Sequence, residues 1–160
     1  FWKVSNHPRV HPSIGPPICT VQCCNTVTFF QMLSRDFHAA QPVLALCGDT
    51  PGDTPGGTRD MLGKYFKATL TVNGYPYYIN TRDPTVLLWR HWRQFAWTVG
   101  RTEQLEAGDF GPLVVVDTAT MPERIMGMWQ VLSDSGGVED APDLQIFLPN
   151  ARGGRVRETY

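Results

Sequence analysis

The clearest alternation of apolar and polar side chains lies in residues 65–72. One face carries the apolar members Phe66, Ala68, Leu70 and Val72, and the other face carries Tyr65, Lys67, Thr69 and Thr71. A period of two is typical of a half-buried strand. Asn73-Gly74 follows and favours a type I′ turn, because both residues tolerate a positive φ. We therefore predict a hairpin whose return strand covers residues 75–80.

Residues 85–99 fit two kinds of structure. Aromatic and small side chains at a spacing of three to four match one face of a helix. The runs 86–89 and 95–99 are rich in β-branched and aromatic residues, which favours two strands joined by the polar residues 90–94. In that arrangement Trp92 lies in the turn and is more exposed than its neighbours.

Three further segments predict strands, at residues 113–116, 125–132 and 143–148. Both faces of the second segment are apolar apart from Gln130, so we expect both to be covered. The inward side chains expected for the last strand are Leu144, Ile146 and Leu148. Residues 134–142, which include a Gly pair, predict a turn region.

These signals together predict a mainly β domain over residues 61–149. About seven short strands separated by turns are typical of an antiparallel sandwich or barrel. The 15 Gly and 13 Pro among 160 residues agree with a protein rich in strands and turns. A basic tail, residues 150–160, follows the domain.

Residues 1–47 predict an N-terminal extension. Its Pro-rich arm, residues 1–17, lacks periodicity and is expected to run extended along a surface, either its own domain or a partner. A helix is predicted over about residues 27–40, and a short buried strand over residues 43–47. Residues 48–60 repeat Gly-Asp-Thr-Pro and predict a flexible linker, because they contain too little apolar surface to offset the entropy of ordering.

Charge and hydropathy exclude some classes of function. The net charge is −1, so no overall field favours nucleic acid or an anionic membrane. No apolar run approaches the roughly 20 residues that span a bilayer, so we expect no transmembrane segment. Because the sequence starts at Phe1 and not at Met, we expect a processed or trimmed product, and the compartment is unknown from the sequence.

Candidate reaction chemistry is sparse. No nucleophile elbow, zinc-protease helix motif or phosphate loop is present, so we expect no enzyme activity and no cofactor. His91 is interpreted as an exposed turn histidine and not as a catalytic base. The four cysteines are Cys19, Cys23, Cys24 and Cys47. A disulfide from Cys47 to one of the others and buried free thiols both stay open, whereas their spacing disfavours a zinc site, and we expect no metal.

Aromatic side chains are the stronger functional candidates. Exposed Tyr or Trp rings offer flat apolar platforms with polar handles, suited to sugar rings or to a protein hot spot. The candidates for such a surface in the β domain are Tyr75, Tyr77, Trp89 and Trp92, while Trp97 and Trp129 are expected in the core. The apolar arm adds Phe1 and Trp2 as candidate docking residues, and the tail adds Arg152, Arg155 and Arg157.

The β domain also resembles a known small module. Its pattern reads Gly63-x-Tyr65, Asn73-Gly74-x-Pro76-x-Tyr78, Leu87-Leu88-Trp89, Trp97-x-x-Gly100, Pro122-x-x-Ile125-x-Gly127-x-Trp129-x-Val131 and Pro142-x-Leu144-x-Ile146. Residues 63–148 are thereby similar to a β module that recurs in proteins of dinoflagellates and other unicellular algae and protists. The resemblance brings no catalytic residues. It implies an accessory subunit of a larger protein assembly, with an algal organelle such as the plastid, and its photosynthetic complexes, as the expected location. The alternative is a carbohydrate-binding or similar module.

Overall fold

Nine antiparallel strands form one continuous sheet in the computed structural model, which describes residues 35–51, 57–133 and 135–149. The strands are β1 (Val43–Cys47), β2 (Gly63–Val72), β3 (Tyr75–Asn80), β4 (Val86–His91), β5 (Ala96–Arg101), β6 (Leu113–Val116), β7 (Trp129–Leu132), β8 (Val138–Ala141) and β9 (Gln145–Phe147). The strands from β1 to β8 pair in sequence order, and β9 pairs with β1. Each pairing between successive strands requires only a short connection.

The sheet curls into an open barrel because its two edge strands are consecutive in the chain. Ala141 ends β8 and Gln145 begins β9, four residues apart. Four residues span at most about 14 Å, so the opposite edges of the sheet must lie close together. The mainly β, antiparallel fold predicted from the sequence is confirmed.

The core lies inside this curl. Its cluster comprises Leu44, Leu46, Met61, Tyr65, Tyr78, Val86, Leu88, Trp97, Val99, Leu113, Val115, Trp129, Val131, Ala141 and Leu144. Trp97 and Trp129 are buried, as predicted. Burial raises the pKa of the Tyr65 and Tyr78 hydroxyls well above the ordinary range. Both hydroxyls donate to main-chain oxygens, Tyr65 to Met61 and Tyr78 to Gln41 at 2.9 Å.

The predicted half-buried strand β2 exists, but its buried residues do not follow one of the two alternating faces. Tyr65 and Ala68, from different faces, are buried, whereas Phe66 and Leu70 are 43% and 70% exposed. The register slips between Lys67 and Thr71, where four steps along β2 oppose two along β3. Such a bulge breaks the strict alternation of faces. The Asn73 turn is as predicted, with φ at 54°.

The sheet also differs from the prediction at its edges. Strand β1 lies between β2 and β9, so the predicted domain start at residue 61 falls inside the sheet. Strand β8 occupies part of the predicted turn region, 134–142. The predicted strand 125–132 is regular only from Trp129, and a 3-10 turn, Pro122–Arg124, precedes it. The expected inward position of Leu148 is wrong, because that side chain is exposed.

The end of the N-terminal extension is fixed to the barrel. Residues 35–39 are helical, and the rest of the predicted helix lies outside the described residues. Lys67 donates from Nζ to the carbonyl oxygens of Phe37 and Ala40, at 2.8 and 2.9 Å. A cation at these carbonyls satisfies groups that a helix end leaves unpaired. The backbone N–H of Gln41 donates to Glu123 at 3.0 Å.

Lys67→Met should loosen this segment without unfolding the barrel. The substitution keeps the aliphatic stem and removes two hydrogen bonds from an ammonium group, a loss of about 1–2 kcal/mol. We expect amide exchange at Ala40, whose N–H donates to Asp36 at 2.8 Å, to rise about 5–30-fold. Lys64→Met, at an exposed position of the same strand, is the matched control. Equal exchange in both variants would contradict the anchoring role of Lys67.

Candidate interaction surface

Two hairpin turns meet at one end of the barrel. The Asn73 side chain, in the β2–β3 turn, donates from Nδ2 to the Arg90 carbonyl at 2.8 Å, which ties this turn to the end of β4. The β4–β5 turn, residues 92–95, projects beside it. We call the side chains gathered here the aromatic tip: Tyr75, Arg90, Trp92, Arg93 and Phe95.

Arg90 is the buried centre of the aromatic tip. Its guanidinium carbon lies 4.6 Å from the centroid of the Tyr75 ring and 5.7 Å from that of the Phe95 ring. Its Nη1 donates to the carbonyl oxygens of Thr118, at 3.2 Å, and Ala119. Within the described residues the guanidinium makes no ion pair. Cation–π contacts and carbonyl bonds therefore replace a carboxylate partner and hold both rings in place.

Trp92 and Phe95 form the exposed part of the tip. Their exposed fractions are 59% and 67%, large values for such apolar rings. The Arg93 guanidinium lies 4.3 Å from the Trp92 ring centroid and makes no ion pair with a described carboxylate. Two exposed aromatic rings and an arginine without a described acid partner thus lie in the same short turn. The predicted exposure of Trp92 is confirmed.

Behind Trp92, a helix and its following loop cover the outer face of the sheet. The helix, Thr102–Ala107, ends at Gly108, whose carbonyl oxygen lies 3.0 Å from His91 Nε2. The His91 ring stacks on Phe110 at 3.9 Å between centroids. His91 is consequently buried, and its interpretation as an exposed turn histidine is wrong.

The same cover removes Trp89 from the predicted surface. Trp89 is only 1% exposed, because its ring packs over Gly100, where an added Cβ would lie 3.1 Å from the ring. Gly111 returns over the neighbouring strand and donates its N–H to Thr98 Oγ1 at 2.8 Å. Because this cover lies over the outer face of the sheet, the Trp89 ring is not accessible to a ligand. Of the other predicted residues, Tyr75 and Tyr77 are half-buried.

The remaining predicted residues can be placed only in part. Phe1, Trp2, the tail arginines and three cysteines, Cys19, Cys23 and Cys24, lie outside the described residues. Cys47 is a half-buried free thiol, and burial raises its pKa. Within the described ranges no group of three or more His, Cys, Asp or Glu side chains could hold a metal ion.

Arg93 and Phe95 were missed by the sequence argument. Phe95 was assigned to a strand, and the turn takes it instead, since β5 begins at Ala96. The available signal was the unusual density of rings and cations between Trp89 and Trp97.

No protein-family model, curated protein or solved structure matches the chain. The described helices include none that is long and apolar enough to cross a membrane. The class of the protein is therefore defined by its own fold, a single nine-stranded antiparallel sheet with an aromatic tip.

Proposed function

We propose that the protein is a non-catalytic structural or interaction subunit that docks onto a larger protein assembly through the aromatic tip. The observation that carries the proposal is the joint exposure of Trp92 and Phe95 beside an arginine without a described acid partner. Trp and Arg are enriched among the residues that dominate binding energy at protein interfaces. The Arg90 guanidinium packs against the Phe95 ring, so docking would cost little conformational entropy at this side chain.

The apolar rings and the positive charge of the aromatic tip indicate what kind of partner surface would fit it. Arg93 adds a positive charge next to the two rings, and a complementary surface would be apolar at its centre and acidic at its rim. Removing water from rings that are already held in place would favour binding. The plastid location implied by the resemblance stays a prediction.

A carbohydrate-binding module is the second candidate function, favoured by the exposed ring of Trp92. Sugar rings stack on an open aromatic face, because that face is flat and apolar. The Arg93 guanidinium lies over the Trp92 ring at 4.3 Å and occupies part of this platform. A protein partner, which can accept the arginine as well as the ring, suits the site better.

The test is a measured affinity for a partner recovered with the native protein. Trp92→Ala combined with Phe95→Ala should weaken that affinity about 30-fold or more, the size of a hot-spot loss. Phe66→Ala, which removes an exposed aromatic ring from the outer part of β2, is the matched control and should bind normally. Unchanged affinity in the double variant would contradict the proposal. Saturable binding on a glycan array that Trp92→Ala abolishes would support the carbohydrate alternative instead.

A further inference from the structure

The two edges of the sheet are protected differently. Strand β8 exposes Glu139 and Asp140, and charged side chains on an edge strand discourage pairing with another chain. Strand β9 has no charged residue, and among the described residues it pairs on one side only, with β1. Alternate N–H and C=O groups of an edge strand point away from its partner. Within the part of the chain that the structure describes, β9 is therefore the edge strand without charged side chains.

A groove runs along this edge, and its lining surface is about half polar and half apolar. It has a volume of about 430 Å³ and separates β9 from the segment that leads into β7. Its lining residues are Ile125, Met126, Gly127, Met128, Trp129, Pro142, Leu144, Gln145 and Ile146. Met126 and Met128 are 94% and 56% exposed. Flexible methionine side chains adapt to varied apolar partners, so they suit a binding surface.

The wall opposite β9 is fixed in place. The Asp117 carboxylate accepts the backbone N–H groups of Met126 and Gly127 at 2.9 and 2.8 Å. The backbone of Gly127 packs so closely on β6 that an added Cβ would lie 2.7 Å from the Val116 oxygen. Among the described residues, no backbone hydrogen bond crosses the groove from residues 125–128 to β9. The wall is thus held against β6, and Pro122–Arg124 packs against β9 at one end of the groove.

Exposed residues of opposite charge adjoin the lining residues at the two ends of the groove. Asp143, which is exposed, stands between the lining residues Pro142 and Leu144, where β9 is about to begin. Arg124, also exposed, immediately precedes Ile125 at the end where β9 finishes. A segment that runs antiparallel to β9 would meet Arg124 near its own N-terminus and Asp143 near its C-terminus.

We propose that the groove binds an extended peptide segment of a partner protein by strand addition to β9. The segment runs antiparallel to β9 and carries an acidic residue first, then apolar side chains at alternate positions, then a basic residue. From Ile125 to Trp129 the wall extends at most about 13 Å, the length of five extended residues, so a six-residue segment reaches slightly past its ends. The main chain provides affinity through ladder hydrogen bonds, while the side chains and the end charges select the sequence and its direction.

The first measurement titrates the full chain with acetyl-Glu-Val-Thr-Val-Thr-Lys-amide. We expect saturable binding below about 1 mM and backbone amide shifts confined to β9 and the groove wall. The same peptide with its two charged residues exchanged should bind about five-fold more weakly, because exposed ion pairs contribute little individually. Combining Arg124→Glu with Asp143→Lys should reverse this preference, and both substitutions are at exposed positions that should not disturb folding.

A peptide N-methylated at the residues that face β9 tests the backbone contribution. It keeps every side chain and loses the donors of the ladder, so we expect no measurable binding. Absence of saturation with the unmodified peptide, binding that survives N-methylation, or a preference that the charge-reversed variant keeps would each overturn the proposal. If the protein forms a dimer and the peptide dissociates it, the groove binds a second copy of this chain. That result would also overturn the proposal.

None of the side chains of the aromatic tip lines this groove, although the Phe95 carbonyl accepts the Asp117 N–H at 2.7 Å. The double variant Trp92→Ala with Phe95→Ala should bind the peptide with unchanged affinity, since neither residue lines the groove. Failure of the peptide experiment and failure of the tip experiment are therefore distinguishable. Loss of peptide binding in the tip variant would contradict the placement of the site along β9.

Discussion

Trp97→Ala should lower the free energy of unfolding by about 3–5 kcal/mol, the range for removing a large buried ring. Trp97 is fully buried among the core side chains of β4, β6 and β7. Its Nε1 donates to the Ala119 carbonyl at 2.8 Å, so the substitution removes a hydrogen bond as well as packing. Because antiparallel strands surround the site on both sides, the backbone can close little of the cavity.

Denaturant unfolding with a constant m-value measures this loss. Trp92→Ala, five residues away and 59% exposed, is the matched control and should change stability by no more than about 0.5 kcal/mol. Trp97→Phe separates the two contributions, since it retains most of the packing and lacks the indole N–H. A similar loss in Trp92→Ala and Trp97→Ala would contradict the assignment of one ring to the core and the other to the surface.

The contrast between these two tryptophans shows what the sequence can predict. Strand and turn signals placed Trp92 in a turn and Trp97 in a strand, and local pattern was sufficient for both. Trp89 was misplaced because its burial depends on the helix Thr102–Ala107 and the loop behind it. Such cover is a tertiary feature that no local period encodes.

Strand faces and edges were harder to predict for a related physical reason. A bulge in β2 exchanges the buried and exposed faces, and nothing in the alternation of residues 65–72 reveals it. Val138–Ala141 contains two acidic residues and follows a Gly pair, so it predicts a turn; pairing with β7 makes it a strand. The groove beside β9 could not be foreseen either, because it arises where two distant segments meet.

Asp117→Asn should destabilise the protein by about 1–2 kcal/mol at neutral pH, since it disrupts hydrogen bonds to a partly exposed charged group. Asp117 accepts three backbone N–H groups, from Ala119 at 2.7 Å and from the groove residues Met126 and Gly127. In asparagine an NH₂ group takes the place of one acceptor oxygen. That NH₂ group would face backbone N–H donors and could not accept a hydrogen bond from them. The variant should also weaken peptide binding at β9, because the wall of the groove loses its support.

The difference in unfolding free energy between wild type and Asp117→Asn should depend on pH, and this dependence identifies the carboxylate as its cause. Burial alone raises the pKa of Asp117, but the three N–H groups and the nearby Arg90 outweigh it and hold the pKa below its usual value. A carboxylate with a depressed pKa in the folded state stabilises fully above its unfolded pKa of about 4, and this contribution is lost as the pH falls through the folded pKa. The gap between wild type and Asp117→Asn should therefore shrink below about pH 4. Asp109→Asn, at an exposed position, is the control and should leave stability unchanged.

The Ala119 carbonyl joins this prediction to the first. It accepts from Trp97 Nε1 and from Arg90 Nη1, while the Ala119 N–H donates to Asp117. Residues that share one partner do not act independently, so the double variant Trp97→Ala with Asp117→Asn should lose less stability than the sum of the single losses. If the stability losses of the two single variants simply add in the double variant, the loop after β6 is held by separate contacts. If the stability difference between wild type and Asp117→Asn stays constant from pH 7 to pH 3, this result would contradict the role of the Asp117 charge.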